Sequence, residues 1–262
     1  MRQGTRPRSL RFSTWQDLYD SHAQGLYGLI AVPILFLLYR WVRGRPRGGV
    51  LPEAASFVDG YAIVFAVESI IDPLVGGPLV HVLGLSDGIG ATIILILFVL
   101  LGDFRVYLLI FGLIAIAAGR RWTTALAIAA AWTTVVPIVA YTVNTVLHAL
   151  VVSLNPDSIW LLYESLFAAL ALVLRAHLPA ARVSPAQPAL RAYLRAVLLY
   201  VAAHYGLWAL ADAMIQIGGL DIGWLVRILP NQLYYAWWVP AAFFAFFSRR
   251  YQSIRASTHA AR

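Results

Sequence analysis

The sequence predicts an all-α integral membrane protein, a bundle of about seven transmembrane helices with its N-terminus outside and its C-terminus cytoplasmic. Three observations predict it. Apolar residues make up 61% of the 262-residue chain and charged residues only 12%, against about 25% charged in a soluble domain. The mean hydropathy is +0.74. Seven apolar segments are long enough to cross the hydrocarbon of a bilayer, which takes about 20 helical residues.

The spans are read at roughly 23–42, 57–74, 89–119, 123–151, 159–179, 194–218 and 223–248. The third and fourth are longer than a crossing needs. They are expected to tilt, protrude or break, with Gly102 and Pro137 as the weak points. Splitting the third would add an eighth span. Residues 1–22 form a basic N-terminal segment, of which 13–22 reads as a short interfacial helix, and 249–262 form a basic cytoplasmic tail. Residues 1–22 lack an adjoining apolar core and a small-residue cleavage site, so they do not read as a cleaved signal peptide.

Orientation follows from arginine. Every basic residue is Arg, a composition that suggests a GC-rich bacterial genome and so an inner membrane. Arg40, Arg43, Arg45 and Arg47 flank the first connection, Arg120 and Arg121 the third, and Arg175, Arg182, Arg191 and Arg195 the fifth; Arg249, Arg250, Arg255 and Arg262 lie in the tail. With seven spans these fall on one side, the cytoplasm. Arg2, Arg6, Arg8 and Arg11 oppose that assignment and are outnumbered. The net charge of +8 is therefore a topology signal and not a nucleic-acid surface. Tyr39, Trp41, Trp122, Trp160 and Trp224 read as interfacial anchors. The chain has no Cys, which excludes disulfides, thiolate metal sites and a cysteine nucleophile.

Function must lie in the polar residues inside the spans, since an ionisable group at the bilayer centre costs about 2.5–3.5 kcal/mol on insertion scales. Glu68 and Asp72 are one helical turn apart on the second span; Asp103 and Arg105 lie on the third. Tyr141, Asn144 and His148 share a face of the fourth, Glu164 is on the fifth, His204 and Asp212 share a face of the sixth, and Asn231 is on the seventh. At about 1.5 Å of rise per residue, most of these fall between the middle and the outer interface. One shared pocket open to the outside is the expectation. Glu68, Asp72, His204 and Asp212 are its candidate catalytic groups, and Tyr141, Asn144, Trp208, Tyr234 and Tyr235 its candidate substrate-binding groups. His148, Glu164 and Asp103 are candidate ligands for a divalent metal. Plainer readings stand beside these: Arg105 neutralising one acid in a structural pair, Asn144 bonding between helices, His204 as a satisfied core histidine, and the aromatic row Tyr234, Tyr235, Trp237 and Trp238 as packing.

Three chemistries suit such a pocket: metal-assisted hydrolysis, acid catalysis on an isoprenoid with aromatic faces against a developing cation, and ion-coupled transport. No P-loop, GxSxG or HExxH motif is present, and without Lys no retinal Schiff base can form. In helix count, outside N-terminus and the types of its polar residues, the layout resembles intramembrane ceramidase-like hydrolases and integral-membrane terpene cyclases, with no family motif. Tyr61 to Glu68 and Tyr205 to Asp212 repeat a spacing of seven, each followed by a Gly pair, and Leu18–Ser21 matches Leu162–Ser165 in type. These suggest two three-helix units joined by the fourth helix. The expected function is a membrane-embedded enzyme, a hydrolase or cyclase, acting on a small lipophilic lipid or isoprenoid substrate among membrane lipids. The alternatives are a proton- or cation-coupled transporter or channel, and a non-catalytic subunit of a membrane complex.

Overall fold

A computed structural model of the chain describes residues 14–44, 52–75, 78, 82, 89–150 and 158–248. No strand occurs among them. The elements are α1 (Trp15–Tyr19), α2 (Gly28–Arg43, entered through a π-helical turn Ala23–Tyr27), α3 (Pro52–Leu74), α4 (Ile89–Ala117), α5 (Leu126–Leu150, entered through a 3-10 turn Trp122–Ala125), α6 (Ser158–Arg182), α7 (Pro188–Gln216), α8 (Ile222–Asn231) and α9 (Trp238–Phe247). A π-helical segment, Gln232–Trp237, joins α8 to α9. Six helices are long and apolar enough to cross a membrane: Ala23–Arg43, Pro52–Leu74, Thr92–Ala117, Trp122–Leu150, Ser158–Arg182 and Pro188–Gln216.

From α2 to α8 each helix packs on its successor, and the π-helical segment after α8 returns to α2, so these elements close into a ring. The second half of α4 is enclosed by its neighbours, while Ile93, Ile96 and Leu97 in its first half are exposed. Asp103, Arg105, the run Val106 to Phe111, and Leu113 are all buried, which explains an apolar pattern with no polar stripe. α5 instead buries one stripe, Ala125, Ala129, Thr133, Val136 and Ala140, and exposes Ile128, Ile138, Tyr141 and Val146. α2 likewise exposes Leu35, Leu38, Trp41 and Val42. A mantle of large apolar side chains of this kind is suited to hydrocarbon and not to water.

The helix ends follow local chemistry. Gly119 takes φ 71° after α4 and Arg120 N–H returns to the Ala115 carbonyl, a left-handed cap that glycine enters without steric penalty. At the α6–α7 turn Arg191 donates to the Val183 carbonyl and the Ala180 carbonyl, covering the open end of α6. Gln187 reaches the Ala117 carbonyl at 3.4 Å, the Phe57 and Trp122 rings meet at 5.6 Å, and Arg40 pairs with Asp59. These contacts gather one end of the bundle, where eight of the ten described arginines sit: Arg40, Arg43, Arg120, Arg121, Arg175, Arg182, Arg191 and Arg195. The opposite end carries α1. Arg2, Arg6, Arg8, Arg11, Arg45, Arg47, the four tail arginines and the Gly pair at 76–77 lie outside the described residues.

Of the tilt, protrusion or break expected of the two long spans, a break occurs in neither. α4 runs unbroken through Gly102 and α5 through Pro137. Gly102 is required for packing, because a Cβ there would overlap the Tyr234 hydroxyl. At Pro137 the missing N–H removes one helical hydrogen bond, yet the helix continues.

Candidate functional site

Three polar groups lie between the middle of the bundle and its α1 end. The first joins α3, α4 and the π-helical segment. Arg105 is fully buried; its Nη1 donates to Glu68 Oε2 at 2.9 Å and to Ser69 Oγ at 2.9 Å. Its Nη2 donates to the Tyr234 carbonyl at 2.7 Å, and the guanidinium lies 4.4 Å from the centre of the Tyr234 ring. Tyr61 donates its hydroxyl to the Arg105 carbonyl at 2.9 Å and accepts Trp238 Nε1 at 2.9 Å. The Tyr234 carbonyl is within reach because the π turn is wider than an α turn, and a second carbonyl of the same segment, Leu233, accepts from Tyr200 at 2.8 Å.

The second group surrounds Asp103. Its carboxylate accepts the hydroxyls of Tyr163 and Tyr205, the latter at 2.5 Å. His204, next to Tyr205 on α7, has no exposed surface and sits in a cage of the Tyr205, Tyr234, Trp208 and Trp238 rings at centroid distances of 4.6, 5.5, 5.8 and 6.3 Å. His204 Nδ1 sits 3.0 Å from the Tyr200 carbonyl. A carbonyl only accepts, so Nδ1 carries a proton; Nε2 has no partner among the described residues.

The third group centres on Arg227 of α8, which pairs with Asp212. It also lies 3.8 Å from Glu164 and donates Nε to the Tyr19 hydroxyl at 3.1 Å. The same hydroxyl accepts Asn231 Nδ2 at 3.2 Å, while Asn231 Oδ1 accepts Trp208 Nε1 at 2.7 Å. α1 is held here because the Thr14–Asp17 capping box starts it, Trp15 N–H bonds Asp221 at 2.9 Å, and Tyr19 packs on Trp224.

Two cavities flank this group. One, of about 90 Å³, is walled by Tyr163, Glu164, Tyr205, Trp208, Arg227, Tyr234 and Tyr235 with Val99 and Trp160. The other, of about 360 Å³, lies under α1 and includes Tyr19, Gln24, Asp72 and Asn231. Tyr235 belongs to both walls.

The expected single pocket of Glu68, Asp72, His204 and Asp212 is therefore corrected. Glu68 is held by Arg105 and Asp212 by Arg227; Asp72 lines the cavity under α1, and His204 sits within its cage of rings. The rod of α8, the π-helical segment and α9 packs on both α3 and α7 and separates their polar stripes. Trp208, Tyr234 and Tyr235 do gather on one cavity. Asn144 bonds Ser158 across α5 and α6 at 3.0 Å, and Tyr141 is 66% exposed because it lies one step off the buried stripe of α5. His148, Glu164 and Asp103 do not converge: Asp103 faces two tyrosines, Glu164 faces Arg227, and no three His, Asp or Glu side chains group as metal ligands among the described residues. The sequence reading missed Arg227, Tyr19, Tyr163 and Tyr205. An Arg within an apolar segment was a legible signal for the first; the tyrosines gave none.

Compared with protein families, with characterised proteins and with solved structures, the chain matches none.

Proposed function

We propose that the chain crosses a bacterial inner membrane seven times, N-terminus outside, and is an enzyme that acts on a lipid or isoprenoid substrate by carboxylate acid/base chemistry in the aromatic cavity. The seventh crossing would be the continuous helical rod from Ile222 to Phe247, whose hydropathy is lowered by Asn231, Gln232 and its Tyr and Trp residues. The gathering of arginines at one end supports a cytoplasmic assignment for that end. A Cys introduced at Arg120 is expected to label from the cytoplasmic side alone; labelling from outside overturns the orientation.

The observation that carries the chemical reading is Glu164. It is 4% exposed, its Oε2 has no partner among the described residues, and most of the wall around it is aromatic. Arg227 stands at 3.8 Å but is already committed to Asp212, so Glu164 is not locked in a close ion pair. In this reading the Glu164 carboxyl transfers its proton to a carbon–carbon double bond. The resulting cation rests against the faces of Tyr205, Trp208 and Tyr234. Loss of a proton from a neighbouring carbon to the Glu164 carboxylate closes the cycle, an isomerisation or cyclisation that needs no co-reactant. With purified protein in nanodiscs and a panel of polyprenyl lipids, Glu164→Gln is expected to abolish turnover while the thermal midpoint holds. Full turnover by Glu164→Gln refutes the assignment. The alternative, a proton- or cation-coupled transporter, draws on Arg227 lying between two carboxylates with a cavity on either side. Substrate-free proton flux in proteoliposomes, lost in Asp212→Asn, would favour it.

A further inference from the structure

The larger cavity has a chemistry of its own. It lies between α1, the π-helical turn into α2, the end of α3 and the α8 rod. At about 360 Å³ it falls within the range of small-molecule sites, about 300–1,000 Å³. Two carboxylates, Asp20 and Asp72, line it, with Tyr19 and Tyr235 beside them. The basic group on the described wall is His22, which is exposed at the rim. Arg227 stands behind the wall: its Nε donates to the Tyr19 hydroxyl, and its terminal nitrogens face Asp212 and Glu164. The described wall is therefore acidic in composition and partly aromatic, a combination that selects an organic ammonium over a small, strongly hydrated metal cation.

An independent observation narrows the ligand. Gln24 lines the cavity, is 7% exposed, and its Nε2 has no partner among the described residues. A buried amide donor left unsatisfied costs about 1–3 kcal/mol, and an oxygen acceptor on the ligand removes that penalty. We propose that this cavity binds an amino-alcohol head, an ammonium group with a hydroxyl or ester oxygen nearby, its cation between Asp20 and Asp72 and its oxygen at Gln24. This site goes beyond the acid/base reading, and binding there is independent of Glu164.

The test uses the full chain purified in detergent, with choline chloride as probe and thermal stabilisation as readout. Choline is expected to stabilise saturably, beyond sodium chloride at equal ionic strength, and more tightly than tetramethylammonium, which has no oxygen for Gln24. Asp20→Asn, a change at an exposed position, and Asp72→Asn should each weaken binding about tenfold; Gln24→Leu should erase the difference between the two probes. Glu164→Gln should bind normally, so failure of the acid/base reading leaves this result standing. Native mass spectrometry separates the sources. A co-purified choline or ethanolamine phospholipid displaced by choline identifies a lipid headgroup, and choline binding with no such lipid identifies a free amino alcohol. Stabilisation equal to that by sodium chloride, or unchanged affinity in both Asp20→Asn and Asp72→Asn, overturns the proposal.

Discussion

Glu68→Gln tests whether the centre of the bundle is held by charge. Glu68 and Arg105 meet at 2.9 Å with side chains 8% and 0% exposed. A neutral amide can still receive one hydrogen bond, but it leaves a guanidinium without a counter-charge where no water can replace it. Breaking a buried pair in this way costs about 3–5 kcal/mol. The loss should be close to that of Arg105→Met, and the double variant should be less unstable than the two losses together, because no orphan charge remains. Arg105→Lys should not rescue, since one ammonium cannot reach Glu68, Ser69 and the Tyr234 carbonyl together as the guanidinium fork does. Unfolding of the four variants in mixed micelles supplies the double-mutant cycle. A coupling energy below about 1 kcal/mol, the range of an exposed pair, would refute the argument.

Gly102→Ala should destabilise by about 1–3 kcal/mol through overlap with the Tyr234 hydroxyl, and Tyr234→Phe should recover part of that loss in thermal unfolding. Asp103→Leu removes the acceptor of both Tyr163 and Tyr205, and should lower stability by at least about 1–3 kcal/mol for the hydroxyls left unpaired. Tyr19→Phe takes away the acceptor shared by Arg227 and Asn231; hydrogen exchange at 15–19 should accelerate while exchange in α4 is unchanged.

The helices and the polar positions within them were legible because both are one-dimensional signals: a run of apolar residues, and an exception inside it. Glu68, Asp103, Arg105, His204, Asp212 and Asn231 were all found this way, and the structural pairing of Arg105 was among the readings weighed. Periodicity also places Glu68 with Asp72 and His204 with Asp212 on single stripes. It does not say which helix a stripe faces. The ring order puts the α8 rod beside α3 and α7, so stripes expected to meet were divided between Arg105 and Arg227. Gly102 was misread for a related reason: glycine marks both a break and a close approach, and only the position of Tyr234 distinguishes them. Tyr19 was hidden because a basic segment with a short helix reads as a surface feature, whereas its hydroxyl is the acceptor that α8 requires.

The ion pairs also bear on how such a chain enters a bilayer. Arg40 on α2 pairs with Asp59 on α3, Glu68 on α3 with Arg105 on α4, and Asp212 on α7 with Arg227 on α8. In these three pairs the partners sit on helices consecutive in sequence; Glu164 on α6, 3.8 Å from Arg227 on α8, is the exception. A hairpin of two such segments can therefore carry these three pairs into hydrocarbon already neutralised, whereas Glu164 waits for Arg227 two helices later. For the three pairs the order of synthesis and the order of charge compensation coincide, and the insertion barrier of each arginine is met within its own hairpin.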